Sequence, residues 1–238
     1  MARKPRLYVE GCAQHIVQRG NNRYACFYAD ADYAFYLQQL KGASEKYNVD
    51  VYAFVLMTNH VHLLVTPSCE FGVSRMMQSV GRNYVRYINV TYQQTGTLWE
   101  GRFKSSIVDS ENYLLTVYRY IELNPVRANM VRLPGEYAWS SYRHNAMGIH
   151  IALINEHENY LKLGDTESSR LVNYRSLFDS EIAKNSVDEI RKCLNKEWII
   201  GSEKFKRQIE SAKGRKVNDV NWGGDRKSKQ FKSSALTP

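Results

Sequence analysis

Residues 49–67 read VDVYAFVLMTNHVHLLVTP. Two runs rich in Val, Leu, Phe and Tyr flank a short polar break at Thr58-Asn59, and this pattern predicts two strands joined as a hairpin. On a strand, residues two apart share a face. His60 and His62 therefore stand side by side, while Val61 and Leu63 point the opposite way. Two adjacent imidazoles on one face of a sheet read either as a metal or phosphate site or as an accident of composition.

The flanking sequence supplies the rest of a fold. HIVQRG (15–20) predicts a first strand running into the turn RGNNR, whose Gly and Asn residues suit a tight loop. Asp30 and Asp32 precede Tyr33, Tyr36, Leu37, Leu40 and Tyr47, spaced by threes and fours as on an amphipathic helix. Val73, Met76, Met77, Val80, Tyr84 and Ile88 mark a second helix after the hairpin. Its other side carries Arg75, Arg82 and Arg86, which read as a basic stripe or as an ordinary solvated face. GTLWEGRFKSSIV (96–108) holds a short fourth strand, and SENYLLTVYRYIELNP (110–125) a third helix closed by Pro125. The order strand, helix, strand, strand, helix, strand predicts an α+β, ferredoxin-like (split βαβ) antiparallel sheet, with helices on one face and the other left open.

After about residue 150 the character changes. SSRLVNYRSLF, SVDEIRKCLNKEW and GSEKFKRQIESAKG predict further helices, and Ser186 with Glu189 suggests a capping box. The expected organisation is a catalytic domain over 1–150, a helical C-terminal extension over 151–214, and a basic, mobile tail over 215–238 with too few apolar residues to pack.

Bulk composition narrows the class. Of 238 residues, 43% are apolar and 24% charged, an ordinary globular balance. Cys12, Cys26, Cys69 and Cys193 form no CxxC pair, which argues against a zinc ribbon or a disulfide framework and fits a reducing compartment. No signal core and no run near 18 apolar residues is present, so a soluble cytoplasmic protein without a membrane partner is expected. The net charge of +9 is concentrated late: from Lys204 onward ten Lys/Arg face three Asp/Glu, leaving about +2 for the first 203 residues. A basic tail of this kind points to a polyanion such as nucleic acid.

The third helix offers company for the His pair. Tyr120 and Asn124 are four apart and share a helix face. Two neutral imidazoles and an amide oxygen suit a divalent cation, Mg²⁺ or Mn²⁺, with positions left for a phosphate oxygen. Tyr120 would then be a nucleophile in phosphoryl transfer; a phenol titrates near ~10 and needs activation. Asn124 before Pro125 reads equally well as a helix cap. Tyr118, two residues from Tyr120, faces elsewhere, and Tyr113 and the tyrosines of NYVRYINVTY read as packing residues.

HIVQRGNNR, FVLMTNHVHLLVTP, GTLWEGRFKSS, YRYIELNPVRANMV and YAWSSY, in that order over the first 145 residues, resemble the REP-associated tyrosine transposases, a branch of the single-tyrosine HUH transposases of insertion sequences. The resemblance implies metal-dependent cleavage and rejoining of single-stranded DNA beside hairpin-forming palindromes, through a covalent phosphotyrosine. It puts the metal on His60, His62 and Asn124 and the nucleophile on Tyr120. For DNA contact the expected residues are Arg19, Asn21, Asn22 and Arg23 of the first turn, Trp99, Arg102 and Lys104 of LWEGRFK, and Arg82 and Arg86. Trp99 also reads as core, and His15 as a neighbour of the site on the first strand or, more simply, as a satisfied sheet histidine. The alternative function is a hairpin-DNA-binding protein of the same fold with little or no catalysis. The added C-terminal helices favour a monomer over a homodimer.

Overall fold

A computed structural model describes residues 6–214. Its elements run β1 (Gln14–Arg19), α1 (Asp30–Lys46), β2 (Val49–Met57), β3 (His60–Pro67), α2 (Gly72–Thr91), β4 (Lys104–Ile107), α3 (Leu114–Glu122), α4 (Asn124–Arg127), α5 (Tyr142–Asn145), α6 (Glu158–Leu161), α7 (Glu167–Ser176), α8 (Lys184–Lys196) and α9 (Glu203–Lys213). The strands form one sheet in the order β2-β3-β1-β4, every pair antiparallel. This is the expected α+β, split βαβ plan: the hairpin 49–67 pairs Met57 with His60, and β1 inserts between β3 and β4, placing Val17 opposite His62 and Arg19 opposite His60.

Strand alternation divides the core in two. Ile16, Phe54, Leu56, Val61, Leu63 and Val65 face α1 and α2 and join an aromatic cluster of Phe27, Tyr36, Tyr84 and Trp99. Asp32, in the first turn of α1, accepts from the backbone N–H of Tyr28 and Ala29 and from the hydroxyls of Tyr87 and Tyr92. The start of α1 is thereby tied to the end of α2.

The opposite face, expected to be open, is covered as well. Ala53, Val55 and Leu64 are covered by Leu114, Val117 and Ile121 of α3. Each such aliphatic side chain contributes ~1.5–3 kcal/mol when fully buried, which is why an amphipathic third helix does not stay off the sheet. The segment after α4 extends this layer: Ser140 bridges Val55, and the Ser141 N–H donates to the Phe54 carbonyl at 3.0 Å. On the far edge Ile200 forms a parallel bridge with Val108, and α8 packs on β4. The α8 helix begins at Lys184 with Ala183 before it, so Ser186 lies inside the helix rather than capping it.

Beneath α3, Glu122 is fully buried and accepts hydrogen bonds from Ser141 Oγ (2.6 Å), Asn145 Nδ2 (2.8 Å) and the Tyr174 hydroxyl (2.7 Å). Burial pushes its carboxyl up to about 7, against the three donors, which favour the charged form. One compact unit closes at Ser202; α9 belongs to a second, and Gly214 (φ +59°) follows it. The expected tail 215–238 lies outside the described residues. Among those described, no helix is long and apolar enough to cross a membrane.

Candidate active-site cleft

His60 and His62 open onto a cavity of about 580 Å³ on the α3 side of the sheet. The same cavity is lined by Tyr120 and Asn124 and by the cations Arg19, Arg23, Arg102 and Lys104. Sheet pairing explains the gathering: β1 and β3 run side by side, and α3 crosses the face on which their odd and even residues coincide. The rings of His60 and His62 are 5.0 Å apart, and the Tyr120 ring lies 6.0 Å from His62.

The proton positions on His60 follow from its neighbour. Asn59 Nδ2 donates to the Arg23 carbonyl at 3.0 Å, which fixes the orientation of the carboxamide. Its oxygen, 2.6 Å from His60 Nδ1, can only accept. His60 therefore carries its proton on Nδ1 and keeps a lone pair on Nε2. His62 Nδ1 lies 2.9 Å from His15 Nε2 on β1, an arrangement open to two tautomers. If Nδ1 of His62 donates, its Nε2 is likewise a free ligand. Burial lowers all three imidazoles: His60 to about 4, helped by Arg19; His15 to about 3, helped by Arg127; His62 well below its ordinary value. All are neutral near pH 7, as a metal-binding imidazole must be.

Asn124 is a helix cap, as one of its two sequence readings had it. Leu123 separates α3 from α4, and the Asn124 amide nitrogen donates to the carbonyls of Tyr120 (3.0 Å) and Ile121 (3.1 Å), capping α3. The carboxamide oxygen is left over, on a side chain that lines the cavity. Among the described residues no three His, Cys, Asp or Glu cluster as a metal site. A divalent ion held here would therefore need the two imidazoles plus an oxygen such as that of Asn124, a mixed nitrogen and oxygen set that Mn²⁺ accepts more readily than Mg²⁺.

The sequence reading missed Arg127 and three residues of α8. Arg127, seven residues after Tyr120, places its guanidinium 4.3 Å from the Tyr120 ring centroid and donates to the Tyr120 carbonyl. Two helical turns put it on the tyrosine's side, a signal present in the spacing of YIELNPVR. His15 approaches the site from β1, the less favoured of its two sequence readings, with its ring 5.7 Å from that of Tyr120. Arg191, Leu194 and Asn195 of α8 wall the cavity from the extension, with Lys104 Nζ 3.4 Å from Asn195 Oδ1.

The remaining expected DNA contacts are dispersed. Asn21 and Asn22 are exposed on the turn after β1, outside the cavity lining, with Asn22 in the left-handed region (φ 52°). Gly20 is dictated by space there, because a Cβ would lie 2.4 Å from the Tyr24 carbonyl oxygen. Trp99 is a core residue, 7% exposed and packed against Tyr36 and Tyr84. Its indole is too large and apolar to remain at a wet surface when α1 and α2 offer it a pocket. Arg82 and Arg86 lie on α2, away from the His pair. Tyr118 is buried against Tyr174, as its spacing implied.

Comparison with known proteins agrees with this architecture. Residues 8–124 match the family described as "Transposase IS200 like". That segment, which carries His60, His62, Tyr120 and Asn124, belongs to the family, and DNA transposition is its reaction class. In fold, the chain is similar to a REP-associated tyrosine transposase bound to a REP hairpin, with TM-score 0.53, 17% identity, and coverage of 66% of this chain and 93% of that one. A Deinococcus radiodurans protein provisionally named a transposase has 20% identity over 51% of this chain and 96% of its own; its TM-score of 0.36 is too low to carry an argument. No curated protein matches the sequence.

Proposed function

We propose that the protein is a metal-dependent single-stranded DNA endonuclease and strand transferase that acts beside hairpin-forming, REP-like palindromes. The observation that carries this reading is one cleft lined jointly by Tyr120, His60, His62 and Asn124 and by five cations. The fold likeness to a transposase bound to a REP hairpin supports the hairpin as the DNA form.

The Tyr120 phenol oxygen attacks a backbone phosphorus, forming a phosphotyrosine, while the broken P–O bond leaves one strand end as a hydroxyl that takes up a proton. The linkage retains the energy of the phosphodiester for rejoining. A Mg²⁺ or Mn²⁺ held by His60, His62 and Asn124 would act as a Lewis acid on a phosphate oxygen. Arg127 holds the tyrosine backbone and sets a positive charge beside its ring, where negative charge develops. Arg19, Arg23, Arg102 and Lys104 position the phosphates of the strand. Residues of the same chain close the cleft from α8, which supports a site complete within a monomer; light scattering giving a dimer mass would overturn that.

The test incubates hairpin oligonucleotides with the full chain and Mn²⁺ or Mg²⁺, then resolves covalent protein–DNA bands on a denaturing gel. A metal-dependent adduct absent from Tyr120→Phe is expected. Tight binding without cleavage under either metal would establish a hairpin-binding protein instead.

A further inference from the structure

A second and larger cavity, about 1030 Å³, lies against α2 and shares only Arg102 with the cleft described above. One face of α2 forms its wall: Arg75, Arg82 and Arg86 lie on it, with Gln78 and Asn89 spaced between and after them. All three arginines are exposed, and none makes an ion pair among the described residues. No carboxylate lines the groove.

Met77, Val85 and Phe103 give the groove apolar lining, and large apolar residues flank the arginines. Phe71 is 57% exposed at one end of α2 and Val90 73% exposed at the other. Arg75 lies over the Phe71 ring at 5.9 Å, so a cation and an aromatic face stand together at one end of the groove. From Arg75 to Arg86 the cations span ~16 Å at 1.5 Å per residue, the reach of a few nucleotides. Arg102 lines both this groove and the cleft that holds Tyr120. A strand leaving the cleft, whose lining includes Glu100, would pass Arg102 into a groove lined by no carboxylate.

We propose that this groove binds an unpaired stretch of DNA continuous with the strand in the cleft, with phosphates on Arg75, Arg82 and Arg86 and bases against the apolar floor. Charge complementarity selects a polyanion. Apolar lining beside the cations, with Phe71 and Val90 exposed at its ends, selects bases that are free to leave the stack, which a duplex does not offer. The inference extends the DNA-processing reading of the cleft but does not need the cleavage chemistry.

The experiment measures fluorescence anisotropy of the full chain with a labelled DNA hairpin, and with the same hairpin carrying an unpaired arm. In wild type the arm is expected to strengthen binding. Arg82→Glu combined with Arg86→Glu, both at exposed positions, should weaken the arm-bearing ligand about tenfold and reduce its logarithmic salt slope by ~0.7 for each lost phosphate contact. Binding of the armless hairpin should stay unchanged. Phe71→Ser should weaken the arm-bearing ligand without altering the salt slope.

Tyr120→Phe should keep the full effect of the arm, so failure of cleavage and failure of the groove are read separately. Equal loss for both ligands, or no loss for either, overturns the proposal. So does an RNA arm that binds more tightly than the DNA arm. A wild-type dimer that the arginine variants dissociate, seen by light scattering, would assign the groove to a second copy of the chain and also overturn it.

Discussion

The Asn59 carboxamide oxygen lies 2.6 Å from Nδ1 of His60, while its nitrogen holds the carbonyl of Arg23 at 3.0 Å. One side chain thus sets the tautomer of an expected metal ligand and ties the turn after β1 to the same site. Partners of this kind are worth about 10–100-fold in metal affinity. Asn59→Ala is expected to weaken Mn²⁺ binding, measured by titration calorimetry without DNA, by that factor. Asn59→Asp keeps the acceptor for His60 and should retain most of the affinity while freeing the turn. Unchanged Mn²⁺ affinity in Asn59→Ala would remove Asn59 from the site.

Glu122 gives stability a dependence on pH. Its carboxyl is fully buried and titrates at about 7, above the ordinary value of 4.5. Between those values the folded state binds more protons than the unfolded state, so stability is highest below the lower value and falls as pH rises through the window. The slope is at most ~1.4 kcal/mol per pH unit for one group. Urea unfolding of wild type and Glu122→Gln at pH 5 and pH 8 isolates this contribution. Wild type should lose stability relative to the variant on going to the higher pH; a constant difference would contradict the assignment.

Trp99 and Arg102 separate core from contact within one loop. Trp99 is enclosed by Tyr36 and Tyr84, so Trp99→Ala should cost ~3–5 kcal/mol of folding stability. Arg102 is exposed between two cavities. Arg102→Ala should leave the thermal midpoint in place and weaken DNA binding. The reverse pattern, a stable Trp99→Ala with impaired binding, would return the indole to the DNA.

The sheet was legible because its determinants are local: alternation through 49–67, the turn at RGNNR and the heptad-like spacing of α1 and α2 each lie within one window. The pairing of His60 with His62 and the side shared by Tyr120 and Asn124 are also periodicities. What stayed hidden depends on contacts distant in sequence. His15 meets His62 only because β1 lies between β3 and β4, and the second face is covered because α3 folds back across β2 and β3. Trp99 lies in a stretch without periodicity, so its burial was decided by the gap it fills rather than by its neighbours in the chain.

The arrival of α8 at the cleft is the least legible of these contacts and has a direct consequence. Arg191 lies 64 residues beyond Arg127, yet it lines the cavity with Tyr120 and is exposed to solvent. Its only described ion pair, with Asp188 at 3.9 Å, joins two exposed side chains and is worth little. Arg191 is therefore available to a phosphate approaching Tyr120. Arg191→Glu is expected to reduce affinity for single-stranded DNA about tenfold and to flatten its salt dependence, with no change in thermal midpoint and no change in Mn²⁺ affinity. Anisotropy titrations at two salt concentrations, beside a melting curve, check all of this. An Arg191→Glu protein that binds DNA like wild type would mean that the extension closes the cleft without touching the strand.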